Sequence, residues 1–379
     1  MKKMLFAVAA MALLFQACGK KEEKTVSGLL RSDFQTVING TDSIDLWVLT
    51  NAAGAEVAIT NFGGRIVSVM VPDKNGVMQD VVLGYDSIGG YLNNQGDFGA
   101  TIGRYANRIH QGRFVLDGDT IQLPQNNFGH CLHGGPEGWQ YKVFKQVRQP
   151  DAATLEMTLV SPDGDMNFPG TVTTTVTFRL TDDNAIDIQF NATTDKKTII
   201  NMCNHSYFNL SGNPANAITD HLLYVNAARF TPVDSTFMTT GAIDSVKATP
   251  MDFTVVKAIG AEIDNYDYLQ LKNGNGYDHN WVLDTGNDLA QLAASLVSPV
   301  SGIKLEVYTN EPGIQVYTGN FLDGTLTGKK GIVYQQRAAV CLETQHYPDS
   351  PNKAGWPSVV LEPGQTYNSR VIYKFSVEQ

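Results

Sequence analysis

The chain is short of cysteine, of positive charge and of long apolar runs. Its cysteines are Cys18, Cys131, Cys203 and Cys341. Once Cys18 is assigned to a processed N-terminus, the remainder is odd in number. That argues against a disulfide framework and predicts buried free thiols at Cys131, Cys203 and Cys341. Lys and Arg total 28 against 38 Asp and Glu, for a net charge of -10. The cations are scattered, so the basic face that nucleic acid requires is missing and a neutral substrate fits better. Beyond Phe15 no apolar run approaches the roughly 20 residues of a membrane-spanning helix, and the rest of the chain is expected to be soluble. No Pro/Ser/Gly linker, charge block or solenoid-length repeat divides it, and residues 31–379 are read as one domain.

The first residues resemble a processing signal. Lys2 and Lys3 precede an apolar stretch from Met4 to Phe15 that is too short to span a bilayer, and Ala17-Cys18 supplies a small-residue cleavage point. Residues 1–17 are therefore read as a signal peptide. Cys18 then resembles the lipid acceptor of bacterial lipoproteins, although Phe15 and Gln16 depart from the usual residues before it. The polar run Gly19-Lys20-Lys21-Glu22-Glu23-Lys24 opens a solvated tether over residues 18–30. The expectation is an exported protein held to a membrane through this lipid alone.

Period-two patterning dominates the chain beyond the tether. Residues 154–160, 171–180 and 185–193 are rich in β-branched and aromatic side chains, with a turn at Thr181-Asp182-Asp183-Asn184. Alternation recurs at 55–61, 66–71, 114–123, 303–309 and 365–377. Residues 288–297 carry the Ala and Leu content of a helix. The turn Ser298-Pro299-Val300-Ser301-Gly302 and the strand after it favour a hairpin instead. Many strands with almost no capped amphipathic helix predict an all-β chain, a large antiparallel β-sandwich.

Several motifs carry polar chemistry. Asn204-His205-Ser206-Tyr207-Phe208-Asn209-Leu210 sets an imidazole among amide, hydroxyl and aromatic groups suited to a sugar ring. Glu343 ends the apolar run Ala338–Leu342 ahead of Pro348; taken alone, such a Glu is usually solvated or ion-paired. His133, in Cys131-Leu132-His133-Gly134-Gly135, sits where two glycines allow close backbone approach to a ligand, or is simply a turn histidine. His130 would pair with it on a metal, but no third ligand with metal-site spacing accompanies them. Arg108, after Asn107, offers a fork that reaches two adjacent oxygens at once, and Arg104 is the better structural candidate of the two arginines. Asp278, beside Tyr277 and His279, would by itself be read as a turn residue. Trp139 suits either a sugar face or packing.

These segments, together with Glu343-Thr344-Gln345-His346-Tyr347-Pro348-Asp349-Ser350-Pro351-Asn352 and Glu311-Pro312-Gly313-Ile314-Gln315, resemble the aldose 1-epimerases, the sugar mutarotases. The likeness runs from Asn61-Phe62-Gly63-Gly64 to the last strand. It implies a galactose mutarotase-like β-supersandwich that exchanges the α and β anomers of free aldohexoses of the galactose or glucose type. Exchange opens a hemiacetal: a base takes the C1 hydroxyl proton while an acid protonates the ring oxygen, from opposite sides of one ring, with no metal and no cofactor. The resemblance makes Glu343 the base and His205 the acid, and it assigns substrate binding to Asn107, Arg108, His133, Asp278 and Gln315.

Three rivals define what must be distinguished. A noncatalytic carbohydrate-binding envelope lipoprotein would have no need for both Glu343 and His205. A glycosidase would use two carboxylates flanking the scissile bond. A hexose-phosphate epimerase should show a basic cluster for phosphate, and none stands out.

Overall fold

The computed structural model describes residues 24–94 and 96–378. The segment read as a signal peptide, residues 1–17, and Cys18, read as a lipid acceptor, lie outside the described residues. Residues 25–30, expected to be tether, instead fold onto the body: Leu29 is buried, and the Val26 amide donates to Glu56 Oε1 at 2.8 Å.

Every ladder between the described strands is antiparallel. The largest sheet has nine strands, in the order Gln146–Asp151, Thr154–Ser161, Val172–Leu180, Ala185–Thr194, Tyr367–Val377, Ile303–Thr309, Ala294–Val297, Leu222–Val225, Lys257–Ala258. Val172–Leu180 alternates buried with more exposed positions along its whole length, the signature of a strand with one face on a core. The turn at residues 181–184 closes with Asn184 at φ 59°, a left-handed position that asparagine tolerates. Opposite lie a six-stranded sheet, which includes Asp278–Val282, Gly313–Tyr317 and Val340–Gln345, and a four-stranded sheet built on Arg65–Pro72.

One apolar core joins these three sheets. Phe178, Ile188 and Phe190 come from the first, Trp281, Ile314, Val316, Val340 and Leu342 from the second, and Val57, Ile66 and Val69 from the third. The Tyr373 hydroxyl donates to the Leu342 carbonyl at 3.0 Å, and Phe208 meets the Tyr373 ring edge-on at 5.1 Å, so the two larger sheets stack face to face. The sandwich is as expected, and the hairpin forms too, although only residues 294–297 of the 288–297 segment are strand, pairing with 304–307. Burial of all four residues of Ala294–Val297 between sheets outweighs the helix propensity of Ala and Leu. Residues 114–123 are not one strand but a hairpin, Arg113–Leu116 with Asp119–Gln122, turning at Asp117-Gly118, both at positive φ. The two α-helices among the described residues, Ile88–Asn93 and Leu269–Gly274, are six residues each.

Candidate active site

The six-stranded sheet gives its apolar side to the core, so its other side carries Glu343, Gln315 and Asn280 in one cross-strand row. Cys341, Tyr317 and Asp278 form the next row. Glu343 does not end its strand; regular pairing continues through Gln345. Asp278 opens a strand, Asp278–Val282, rather than sitting in a turn. Gln315 Nε2 donates to Asp278 Oδ1 at 2.7 Å, fixing the carboxylate with its second oxygen free.

A second wall comes from two short ladders. Cys203–His205 pairs with Ala100–Ile102, and Asn204 Nδ2 donates to the Gly99 carbonyl at 3.0 Å, which locks the strand that delivers His205. Arg108–Ile109 pairs with Cys131–Leu132, which brings Arg108 beside His133. Asn107 Oδ1 accepts from the Arg108 amide at 2.8 Å; Arg108 Nε donates to Asn127 Oδ1 at 3.0 Å, and its guanidinium lies 4.9 Å from the centre of the Phe237 ring. The cation is thus oriented by an amide and a ring face, with its terminal nitrogens left for a ligand.

The two walls enclose a cavity of about 280 Å³ lined by Asp97, Asn107, Arg108, Asn127, Phe128, Leu132, His133, His205, Tyr207, Asp278, Tyr317, Phe321 and Glu343. His205 Nε2 stands 3.5 Å from Glu343 Oε1. The acid and base expected on opposite sides of a ring are therefore neighbours, spaced for two oxygens on one carbon. Tyr207 stacks on the His205 ring at 5.0 Å and His133 meets it edge-on at 5.2 Å. The Cys203 thiol contacts Glu343 Oε2 at 3.6 Å.

Burial sets the charge states. It raises the Glu343 carboxyl to about 7; the His205 charge opposes this, Asp278 adds to it, and the Cys203 thiol again opposes it. Asp278 is also raised by burial, against the pull of Arg108, the Gln315 bond and His205. Burial, then the charges of His205 and Arg108, hold His133 well below the ordinary imidazole range, so it is neutral. The group built here is a carboxyl poised near neutrality, touching an imidazole, beside an arginine.

Six of the seven sugar-site residues expected from the sequence line this cavity, and Gln315 holds the Asp278 carboxylate behind them. Arg104 points elsewhere and donates to Pro169 O, Gly170 O and Ser161 Oγ at 2.7, 2.9 and 2.8 Å, a structural role. Trp139 is buried against Gly103 and packs in the core. The glycines after His133 approach protein rather than ligand: a Cβ on Gly134 would meet the Gly103 carbonyl at 2.2 Å. His130 is satisfied by the Gln111 amide and Thr236 Oγ1 and belongs to no group of potential metal ligands among the described residues.

Sequence reasoning missed Asp97, Asn127, Phe128, Phe237 and Phe321. Tyr207 belongs to the Asn204–Leu210 segment but had no role assigned, and Tyr317 lies two positions beyond Gln315 in the same strand. Phe128 and Phe321 are 60% and 52% exposed, which is unusual for phenylalanine, but exposure has no signature in a loop that lacks periodicity.

A family model described as aldose 1-epimerase matches residues 45–374. Galactose mutarotase from Rattus norvegicus is 39% identical over 321 residues, which cover 85% of this chain and 91% of that protein. Aldose 1-epimerase from Escherichia coli (strain K12) is 38% identical over 336 residues, 88% of this chain and 95% of its own. The crystal structure of galactose 1-epimerase from Lactobacillus acidophilus NCFM superposes with a TM-score of 0.80 at 29% identity, over 91% of this chain and 98% of that one.

Proposed function

This chain belongs to the aldose 1-epimerase family and interconverts the α and β anomers of aldoses, and from that premise we propose that Glu343 is the base and His205 the acid of ring opening. The observation that carries the assignment is the 3.5 Å approach of His205 Nε2 to a buried Glu343 whose carboxyl sits at about 7. Ionised Glu343 takes the C1 hydroxyl proton while protonated His205 gives its proton to the ring oxygen. The C1–O5 bond breaks, O1 becomes a carbonyl oxygen, and the chain rotates about C1–C2. His205 then removes the O5 proton, O5 adds to the other face of the carbonyl, and Glu343 returns its proton to O1. Both groups end in their starting states, so the cycle needs no redox partner.

The remaining groups bind and orient. Arg108 and Asn107 hold ring hydroxyls, and Asp278, fixed by Gln315, accepts from another. His133 donates from Nε2 toward the ring oxygen, where charge develops. Aldohexoses of the galactose or glucose type suit this mixture of donors and acceptors, and the name of the relative from Rattus norvegicus supports the galactose half of that reading. The test is polarimetry or NMR of freshly dissolved α-D-galactose and α-D-glucose with wild type, Glu343→Gln and His205→Asn. Full activity in either variant would refute the assignment.

We also infer an exported lipoprotein anchored through Cys18, on the strength of Lys2-Lys3, the short apolar segment and Ala17-Cys18. Cys18→Ala should release soluble protein with unchanged kinetic constants. An unmodified mature N-terminus at another residue would overturn this inference.

A further inference from the structure

Beyond sugar chemistry, metal-ligating atoms gather at the wall of this pocket, where His205 and Glu343 line the cavity and Cys341 lies behind them. Among the described residues, His205, Cys341 and Glu343 each offer one ligand atom, all within 4.8 Å of one another, and all three side chains are buried. Cys341 precedes Glu343 by two positions in one strand and so faces the same way. We propose that these three residues chelate a soft divalent cation of the zinc type, and that the ion inhibits the enzyme by occupying its acid and base together.

Geometry and donor chemistry support this. The 3.5 Å between His205 Nε2 and Glu343 Oε1 exceeds the roughly 2.8 Å of a charge-assisted hydrogen bond. It is close to the roughly 3.4 Å that separates a nitrogen and an oxygen bound to one tetrahedral zinc. His205 Nδ1 is buried with no hydrogen-bond partner, so no neighbour fixes the tautomer and Nε2 can present its lone pair. Thiolate, imidazole and carboxylate together select a borderline or soft ion, whereas Mg²⁺ and Ca²⁺ demand oxygen. Binding forms S–metal, N–metal and O–metal bonds and releases the Cys341 thiol proton to solvent. A fourth position opens on the cavity, where water would complete the set and the ion would stand in the place of the sugar.

A second group, Asp97, His133 and His205, competes for the ion. It has no thiol, and His133 Nδ1 already accepts the Asn107 amide at 3.1 Å. The Cys341 group is the better host for a soft ion.

The experiment titrates Zn²⁺ into the EDTA-treated, desalted protein during anomer exchange, and Co²⁺ under the same conditions for its spectrum. The activity arm rests on the anomer-exchange reading and the cobalt arm does not, so the two fail separately. Inhibition should be competitive with sugar, and Cys341→Ser should raise the half-inhibiting Zn²⁺ concentration roughly tenfold or more. Cobalt should give a thiolate charge-transfer band that Cys341→Ser lacks and Cys203→Ser keeps. Equal zinc sensitivity in wild type and Cys341→Ser, or relief by Asp97→Asn instead, would overturn the proposal. Should Cys341→Ser fail to fold, wild-type cobalt spectra decide: a thiolate band abolished by saturating sugar supports the site, and no band, or one indifferent to sugar, refutes it.

Discussion

Asn107 and His133 hold each other through two hydrogen bonds. The His133 amide donates to the Asn107 carbonyl at 3.0 Å, and the Asn107 amide donates to His133 Nδ1 at 3.1 Å. Both residues sit at positive φ, 61° and 52°, a conformation that side chains other than glycine rarely adopt. Because Nδ1 is an acceptor, the ring proton is on Nε2, and the neutral imidazole is a fixed donor.

His133 should therefore act without titrating. His133→Ala should lower kcat/KM by roughly five- to thirtyfold, about the worth of one or two kcal/mol of hydrogen bonding. The pH profile of the residual activity should keep the wild-type acid limb. A shift of that limb would show that His133 takes part in proton transfer.

Glu343 gives the pH dependence its sign. Catalysis needs the carboxylate, so kcat/KM should rise with pH through about 7. Glu343→Gln should lower kcat at least a hundredfold on the usual worth of a general base and abolish the acid limb. Stability should move the other way. A buried carboxyl raised from 4.5 to about 7 holds its proton in the fold after the unfolded chain has lost it. Stability is therefore lost progressively as pH rises from 4.5 to 7, by about 3 kcal/mol on this group's account. Glu343→Gln should melt above wild type at pH 8, and the gain should vanish near pH 4.5. A variant no more stable than wild type at pH 8 would mean that burial does not raise this carboxyl in the fold.

The two arginines of the segment Gly103-Arg104-Tyr105-Ala106-Asn107-Arg108 should separate cleanly. Arg104 satisfies buried carbonyls around Pro169 and Gly170, so Arg104→Ala should cost roughly 3 kcal/mol or more of stability. Arg108→Ala should fold, because its partners are Asn127 and the Phe237 face, and should raise KM more than it lowers kcat. Thermal melts and steady-state kinetics on both variants check the split.

Why the two arginines differ was only partly legible in the sequence. Strands announced themselves wherever one face is buried, as in Val172–Leu180, because alternation is a local pattern. Val340–Gln345 is buried at every position, so no alternation marks it, and its apolar run stops at Leu342 although pairing continues past Glu343. The site was legible where its residues cluster in motifs, as Asn107-Arg108 and Asn204–Leu210 do. Asp97, Phe128 and Phe321 enter through loop geometry and long-range pairing, which leave no local trace. The approach of His205 to Glu343 depends on two separate ladders from distant parts of the chain, and the sequence pointed to opposite sides of a ring rather than to this contact.

Removal of divalent ions should not slow the reaction. Every proton transfer in the proposed cycle is carried by protein groups, so EDTA should leave the rate unchanged, or raise it if a contaminating ion occupies the His205–Cys341–Glu343 group. A loss of activity that zinc restores would require a different mechanism.

The neighbours of Glu343 allow its proton affinity to be moved in either direction. The Cys203 thiol, 3.6 Å from Oε2, favours the carboxylate, whereas the charge on Asp278 disfavours it. Cys203→Ala removes a stabilising donor, so its acid limb in kcat/KM should lie above the wild-type one. Asp278→Asn removes a repelling charge, so its acid limb should lie below wild type, with KM raised because a sugar acceptor is gone. Opposite displacements of one limb by two substitutions on different strands would identify Glu343 as the titrating group, since the Cys203 thiol and the Asp278 charge both act on that carboxyl. If both variants move the limb the same way, or neither moves it, the group titrating near neutrality is not Glu343, and the base must be sought elsewhere in the pocket, with Asp97 the next carboxylate to test.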